Sequence, residues 1–288
     1  MERVLVTGGC GRLGRAVVAE LVAADYPVTV VDRVPRPDWL PDSIPQIQLD
    51  SRDVGQVAGA LRGCDAVINL GAIPRPWLHP DEVVFTNNTS ATFAVLQAAA
   101  LLGIKRVAHA SSASAYGTPY SPQHSHARYV PVDEDHPLVN SDPYGLSKEV
   151  DERTAEMFCR REGMSIACLR FHWVSEREEQ LAAAERCRTS PDLDHELRNL
   201  WSYIDIRDAA RACRLAIEAA KEKPYGFAPL NIVAADTLSE VPTEELIRRH
   251  APDIEIRSAL PGHRGNFAID RAEKIIGWRP LHSWRDPE

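Results

Sequence analysis

Apolar residues recur along the chain in two rhythms. Short runs such as Val4-Leu5-Val6, Val28-Thr29-Val30-Val31 and Ala66-Val67-Ile68 are apolar at consecutive positions, the pattern of strands covered on both faces. Between them lie longer stretches with apolar residues three and four apart, the pattern of helices with one buried face. The two alternate, predicting strands near 3–7, 28–32, 46–49, 65–70, 105–110 and 165–170 and helices near 12–24, 53–62, 81–102, 143–162 and 204–221. Such alternation implies an α/β fold, a doubly wound parallel sheet with helices on both faces. Two stretches break the rhythm: 117–141, rich in Pro, His, Ser and Asp, and 174–203, charged, with one helix expected over 176–188. A connection as long and irregular as the first is expected to be a functional loop. Beyond 222 the pattern gives a strand at 227–233, a helix at 243–250, a strand at 254–257 and a helix at 270–277. The expected division is a sheet domain over 1–173 and, over 174–288, mostly a small C-terminal lobe, with the helix near 204–221 packing back on the sheet.

The first apolar run leads directly into Gly8-Gly9-Cys10-Gly11-Arg12-Leu13-Gly14. A strand that breaks into glycines and then opens a helix can bring backbone amides close to phosphate oxygens with no Cβ between them. A dinucleotide pyrophosphate is expected to sit here, on the phosphate turn of a Rossmann sheet, with Gly8, Gly11, Arg12, Leu13 and Gly14 as the candidate contacts. The second strand ends at Asp32, placed to accept hydrogen bonds from an adenosine ribose and to repel a 2′-phosphate, which favours NAD. Arg33, the next residue, leaves NADP open.

Composition narrows the partners. A net charge of −8, with 28 Arg and 5 Lys and no long basic run, argues against nucleic acid or an anionic membrane surface as the partner. No apolar stretch is long enough to span a bilayer and the amino terminus lacks a secretory layout, so a soluble, cytoplasmic protein is expected. Six scattered cysteines (10, 64, 159, 168, 187 and 213) form no CxxC pair and read as reduced thiols. His124 and His126 raise the question of a metal, but no carboxylate or cysteine nearby completes a ligand set, and none is expected.

Tyr144 and Lys148 are spaced i and i+4, which places them on one face of the helix over 143–162. An ammonium beside a phenol favours its ionised form and makes tyrosine usable as a general acid or base. Ser111-Ser112-Ala113-Ser114 follows the strand at 105–110, at the carboxyl edge where open parallel sheets hold their ligands. With these residues together, the chain resembles the extended short-chain dehydrogenases/reductases, the family of NAD-dependent sugar epimerases and dehydratases. The Thr7–Gly14 turn resembles the family's TGxxGxxG, Tyr144–Lys148 its YxxxK, Asn88–Thr92 its Asn-x-x-x-Thr segment, Tyr203–Asp208 its lead into a late helix, and Trp278-Arg279-Pro280 a common ending. The resemblance implies that Ser112 polarises the substrate, that Tyr144 is the acid/base, and that Lys148 lowers the phenol pKa and holds the nicotinamide ribose. It further implies that Asp50 and Ser51 lie at the adenine, that Leu70, Gly71 and Ala72 lie under the dinucleotide, and that Asn88 serves the cofactor site.

Departures from the family pattern narrow the reaction. Ala113 and Ser114 stand where the sugar-nucleotide dehydratases carry Asp-Glu, so dehydration is not expected. Arg170-Phe171-His172-Trp173-Val174 replaces the family's Asn-x-x-Gly, and the segment that clamps a nucleotide diphosphate in the 4-epimerases is short here. The compact form is similar to the uronate dehydrogenases, in whose register Arg198 falls at the carboxylate-holding arginine and Ser114 at a histidine. Arg75, Ser112, Ser114, His172 and Arg198 are therefore the candidate substrate contacts, and the 117–141 loop is expected to decide the substrate. The expected activity is NAD-dependent oxidation of a sugar or sugar acid in a small-molecule site. A nucleotide-sugar epimerase with tightly held NAD is the alternative, and a redox-sensing regulator without turnover a third reading. The resemblance also implies a homodimer built on the helices near 81–102 and 143–162.

Overall fold

The computed structural model describes residues 2–123, 126–189 and 194–287. In chain order, β1 (Val4–Thr7), α1 (Arg12–Ala23), β2 (Val28–Asp32), β3 (Gln46–Gln48), α2 (Val54–Leu61), β4 (Ala66–Asn69), α3 (Asp81–Leu101) and β5 (Arg106–Ser112) form the first half. A one-turn 3-10 helix (Ala113–Tyr116) and β6 (Tyr129–Val130) then lead to α4 (Pro143–Glu162), β7 (Ser165–Phe171), β8 (Trp173–Ser175), α5 (Arg177–Thr189) and α6 (Asp194–Arg198). The remainder is β9 (Tyr203–Asp205), α7 (Ile206–Glu222), β10 (Phe227–Ile232), α8 (Thr243–His250), β11 (Glu255–Ile256) and α9 (Asp270–Ile276).

Seven strands form one parallel sheet in the order β10-β7-β5-β4-β1-β2-β3. Alternate residues of each strand feed two cores. Val4, Val6, Val30, Ile68, Ala108 and Leu169 face α1, α7 and Trp278, while Leu5, Val31, Val67, Val107 and Ile166 face α2, α3 and α4. This double covering is why the strands read as continuous apolar runs. The chain reverses direction across the sheet between β1 and β4, and such a reversal opens a crevice at the carboxyl ends of the strands.

The late chain does not divide at 173 as the sequence suggested. β10 pairs in parallel with β7 over its whole length and is the seventh strand of the sheet, and α9 and the buried Trp278 join the sheet's core. The small lobe instead gathers Tyr116 from the 3-10 helix and Val130 and Val132 from the long loop with Leu200, Trp201, Leu246, Ile247, Leu260 and Phe267 from the late chain. Pairing explains the difference. β6 and β11 are two residues each and bond only to one another, whereas β10 offers six residues to the open edge of β7.

Candidate active site

The crevice is a cleft of about 560 Å³ between the sheet edge and the lobe. Its floor is backbone. Gly8 takes a left-handed φ of 63°, and a Cβ on Gly14 would lie 2.3 Å from the Gly8 carbonyl oxygen. A Cβ on Gly8 would lie 2.8 Å from the Gly71 amide nitrogen, so the turn, the start of α1 and the exit of β4 touch with no room for side chains. Gly11 caps α1 without a side-chain hydrogen bond, and no acidic residue occupies the first turn, so this helix end is suited to an anion.

At the far side, Asp32 closes β2. Its carboxylate accepts from the amides of Cys10 at 3.0 Å and Arg33 at 2.7 Å. These bonds aim it across the mouth of the glycine turn. Asp50, Ser51 and Arg52 continue the wall. The Arg52 guanidinium donates to the Asp50 carboxylate, and this bond holds its pKa down at about 2. A dinucleotide fits this half of the cleft: a phosphate-sized hollow lined by amides, flanked by a carboxylate at the second strand.

The other half holds the reactive side chains. Ser112 ends β5, and its hydroxyl accepts from the Ser114 amide at 3.1 Å while capping the 3-10 turn. α4 begins at Pro143 under an Asp142 cap, whose carboxylate accepts from the Gly145 amide at 2.8 Å, and this start places Tyr144 in the first turn and Lys148 one turn on. The Lys148 ammonium lies 5.8 Å from the Tyr144 ring centre. Burial pushes the Tyr144 phenol up to about 12, with the Ser112 hydroxyl acting in the opposite direction. The expected lowering by the lysine is not the dominant influence. Lys148 instead donates to the Ala110 carbonyl at 2.8 Å and lies 3.6 Å from the Asp151 carboxylate.

The cleft brings together Gly8, Gly11, Arg12, Leu13, Gly14, Asp32, Arg33, Asp50, Ser51, Leu70, Gly71 and Ala72 with Arg75, Ser112, Ser114, Tyr144, Lys148 and His172. Two expected contacts lie elsewhere. Asn88 is buried and its amide is engaged by the protein: Oδ1 accepts from the Ile73 amide at 2.8 Å, and Nδ2 donates to the Ile73 carbonyl and to the Ser147 hydroxyl, each at 3.1 Å. It ties the loop after β4 to α4, and its neighbour Asn87 lines the cleft. Arg198 donates to the Ser121 carbonyl at 3.1 Å. Beyond it the chain takes left-handed positions at Leu200 and Trp201 (φ 52° and 53°), burying both, and Asn199 rather than Arg198 reaches the cleft.

His172 packs on Phe267 with ring centres 4.0 Å apart, and burial pulls its pKa down to about 3, so it is neutral. Arg12 reaches over the cleft to the Glu179 carboxylate on α5, a bond between the phosphate turn and the lobe side. Sequence reasoning missed Arg52, Tyr120, Trp173 and Asn199 as wall residues. Arg52 was signalled by its place beside Asp50, whereas Tyr120 and Asn199 come from loops without a motif and Trp173 opens the three-residue β8. His124 lies outside the described residues, and among the described residues no cluster of three or more metal-ligating side chains occurs.

A glycine turn and a buried tyrosine–lysine helix at the reversal point of a parallel sheet are the marks of the dinucleotide-dependent short-chain oxidoreductases. Within that class, the chain belongs to the NAD dependent epimerase/dehydratase family, whose model matches residues 4–232. It is an enzyme, and NAD is its cofactor. It is 27% identical over 251 residues to an L-arabinose 1-dehydrogenase (NAD(P)(+)) of Haloferax volcanii, covering 82% of this chain and 89% of the relative. An NAD-dependent glucose-6-phosphate dehydrogenase of the same organism is 32% identical over 227 residues, covering 76% of this chain and 81% of the relative. A crystal structure of a UDP-galactose 4-epimerase superposes with a TM-score of 0.70 at 27% identity, covering 98% of this chain and 94% of that one.

Proposed function

We propose that the chain is an NAD-dependent dehydrogenase of a free sugar, sugar acid or sugar phosphate. The observation that carries this reading is the convergence of Ser112, Tyr144 and Lys148 with the glycine turn in one cleft. The adenosine ribose would be held by Asp32, the phosphates by the turn and the start of α1, and the nicotinamide ribose by Tyr144 and Lys148. When bound, NAD supplies the two-electron acceptor for the carbinol C–H. Tyr144 takes the hydroxyl proton, and Ser112 donates a hydrogen bond to the same oxygen so that charge building there is held as it forms. Lys148, fixed by Ala110, keeps a positive charge behind the phenol.

The relatives include dehydrogenases named for a free pentose and for a hexose phosphate as well as UDP-sugar 4-epimerases, and one feature of the cleft favours a compact substrate over a nucleotide sugar. Among the described residues at the substrate end, Arg75 is exposed and makes no ion pair, while Arg12 and Arg52 are committed to Glu179 and Asp50. One guanidinium suits one carboxylate or phosphate. We assign His172, Ser114 and Asn199 to the sugar hydroxyls. Incubating the protein with NAD and a panel of pentoses, hexoses, hexose 6-phosphates, uronates and UDP-sugars tests the reading. NADH accumulation with one compact sugar, abolished by Tyr144→Phe, is expected. Sugar isomers without NADH would move the assignment to an epimerase.

We further infer a homodimer through α3 and α4, because Phe93 and Leu101 on α3, Leu102 at its C-cap and Leu146 on α4 are apolar and exposed. Sedimentation equilibrium of the protein tests it, and a monomer at micromolar concentration would refute it. The six unpaired cysteines fit a reducing, cytoplasmic setting, and no helix among the described residues is long and apolar enough to cross a membrane.

A further inference from the structure

A row of polar side chains runs under the cleft. Thr7 of β1, Asn69 of β4 and His109 of β5 are register partners on neighbouring strands, all on the face covered by α3 and α4. The amides of Leu70 and Gly71 donate to Thr7 Oγ1 at 3.1 and 3.2 Å, and the Thr7 hydroxyl donates to Asn69 Oδ1 at 2.6 Å. Asn69 Nδ2 in turn donates to His109 Nδ1 at 3.1 Å. With Nδ1 accepting, the ring hydrogen belongs on Nε2, an assignment made by the network. Nε2 faces Asp151 Oδ2 at 3.6 Å, and Lys148 Nζ stands at 3.6 Å from the same oxygen. Every donor in the row therefore points the same way, from the cleft floor toward one carboxylate.

That carboxylate has no hydrogen bond. Asp151 is 1% exposed, His109 2% and Lys148 3%, and both Asp151 oxygens and His109 Nε2 are buried without a partner within bonding distance. A buried charge is tolerated only when opposite charge or aligned dipoles offset it, and Lys148 and the donor row do this at a distance. Such a charge is little screened and acts through space on the next titratable group, the Tyr144 phenol. We propose that Asp151 is a positioning residue that offsets the Lys148 charge from behind and so sets the pH at which Tyr144 releases its proton. This rests on Tyr144 being the acid/base.

The surroundings make Asp151 the controlling charge. From β5 it faces His109, on its own helix Lys148, and from β7 its charge is felt by the buried Cys168 thiol, while the adjacent Glu152 is committed to Arg170 and Ser111. α3 carries its acids, Asp81 and Glu82, only in an exposed first turn. Tyr144 itself is faced by Ser112, by Asp142 at the start of its helix, and by Tyr120, which has Arg75 beside it. Of these, only Asp151 is opposed to Lys148 at close range.

The sign follows directly. Removing the Asp151 charge leaves the Lys148 ammonium without its offset and stabilises the phenolate, so the proton leaves at lower pH. In protein labelled at tyrosine Cζ and loaded with NAD, with the Tyr144 signal identified by its loss in Tyr144→Phe, Asp151→Asn is expected to lower the titration midpoint by about one unit. Asp151→Glu is expected to restore it. The low-pH limb of kcat/KM for carbinol oxidation should move down by the same amount. An unchanged or raised midpoint in Asp151→Asn would overturn the proposal. Should that variant fail to fold, Asp151→Ser, which leaves room for water, carries the same expectation and the same refutation. A Tyr144→Phe protein that still turns over would instead overturn the assignment of Tyr144, so the two failures are separable.

Discussion

Gly14→Ala is expected to separate the phosphate turn from α1. The added Cβ would stand 2.3 Å from the Gly8 carbonyl oxygen, 2.6 Å from Gly9 Cα and 2.7 Å from the Gly9 carbonyl carbon, where real Cβ atoms essentially never approach closer than 3.0 Å. All three are backbone atoms, so no rotamer change relieves the clash, and the turn and helix must part by at least about 0.7 Å. Overpacking of this kind costs about 1–3 kcal/mol. In a chain of this size that corresponds to a fall in Tm of about 2–10 °C. The larger effect falls on NAD, because the amides that would meet its phosphates lie on the two segments driven apart, and a loss of about 1.4–3 kcal/mol there raises Kd about 10- to 100-fold. Calorimetric titration with NAD and a thermal melt measure both. Gly59→Ala is the control: it adds a Cβ to the exposed side of α2, with nothing within 4 Å, and should stabilise by about 0.5–1 kcal/mol. A Gly14→Ala protein that binds NAD like the parent and melts with it would refute the close-packed turn.

Three other substitutions address the rest of the cleft. Asp32→Ala removes an acceptor aimed at the adenosine side, and NAD Kd should rise about tenfold or more while NADP binding improves; unchanged preference in a fluorescence titration would count against that role. Arg75→Ala should raise KM for an anionic sugar about 10- to 100-fold, with kcat and the KM of neutral sugars little changed; equal effects on both would show that Arg75 does not read charge. His172 has a folded pKa of about 3 against an ordinary 6.5, so below 6.5 the unfolded chain takes up a proton that the fold refuses. Stability should therefore fall as pH drops from about 6.5 toward 3, and Tm plotted against pH should be flatter for His172→Gln; parallel curves would refute it.

Most of the sheet was legible because its signals are local. Consecutive apolar residues mark β1, β2 and β4, glycines punctuate them, and i, i+4 spacing unites Tyr144 with Lys148. Long-range pairing left no such mark. Nothing in Phe227–Ile232 says that it will find the edge of β7, and nothing in β8 or β9, three residues each, says that they pair with one another. Asn88 and Arg198 were placed by motif register, which gives position along the chain but not direction of the side chain. The polar row could have been suspected: Asn69 and His109 interrupt apolar strands, and Asp151 lies three residues beyond Lys148 on the same helical face. What the sequence lacked was the register that sets Thr7, Asn69 and His109 side by side.

The place of β10 in the sheet has a consequence for how the chain is made. β7 is buried at all seven positions, and its outer edge is covered by a strand that begins only at Phe227. Synthesis runs from the amino terminus, so Ser165–Phe171 and the whole of α7 emerge before their partner exists. Through that interval the growing chain presents an apolar strand with unsatisfied amides and carbonyls, the kind of edge that recruits other chains. A polypeptide stalled or cut between α7 and β10 would keep that edge open and be prone to aggregate, whereas one extended past Ile232 can seal its own sheet.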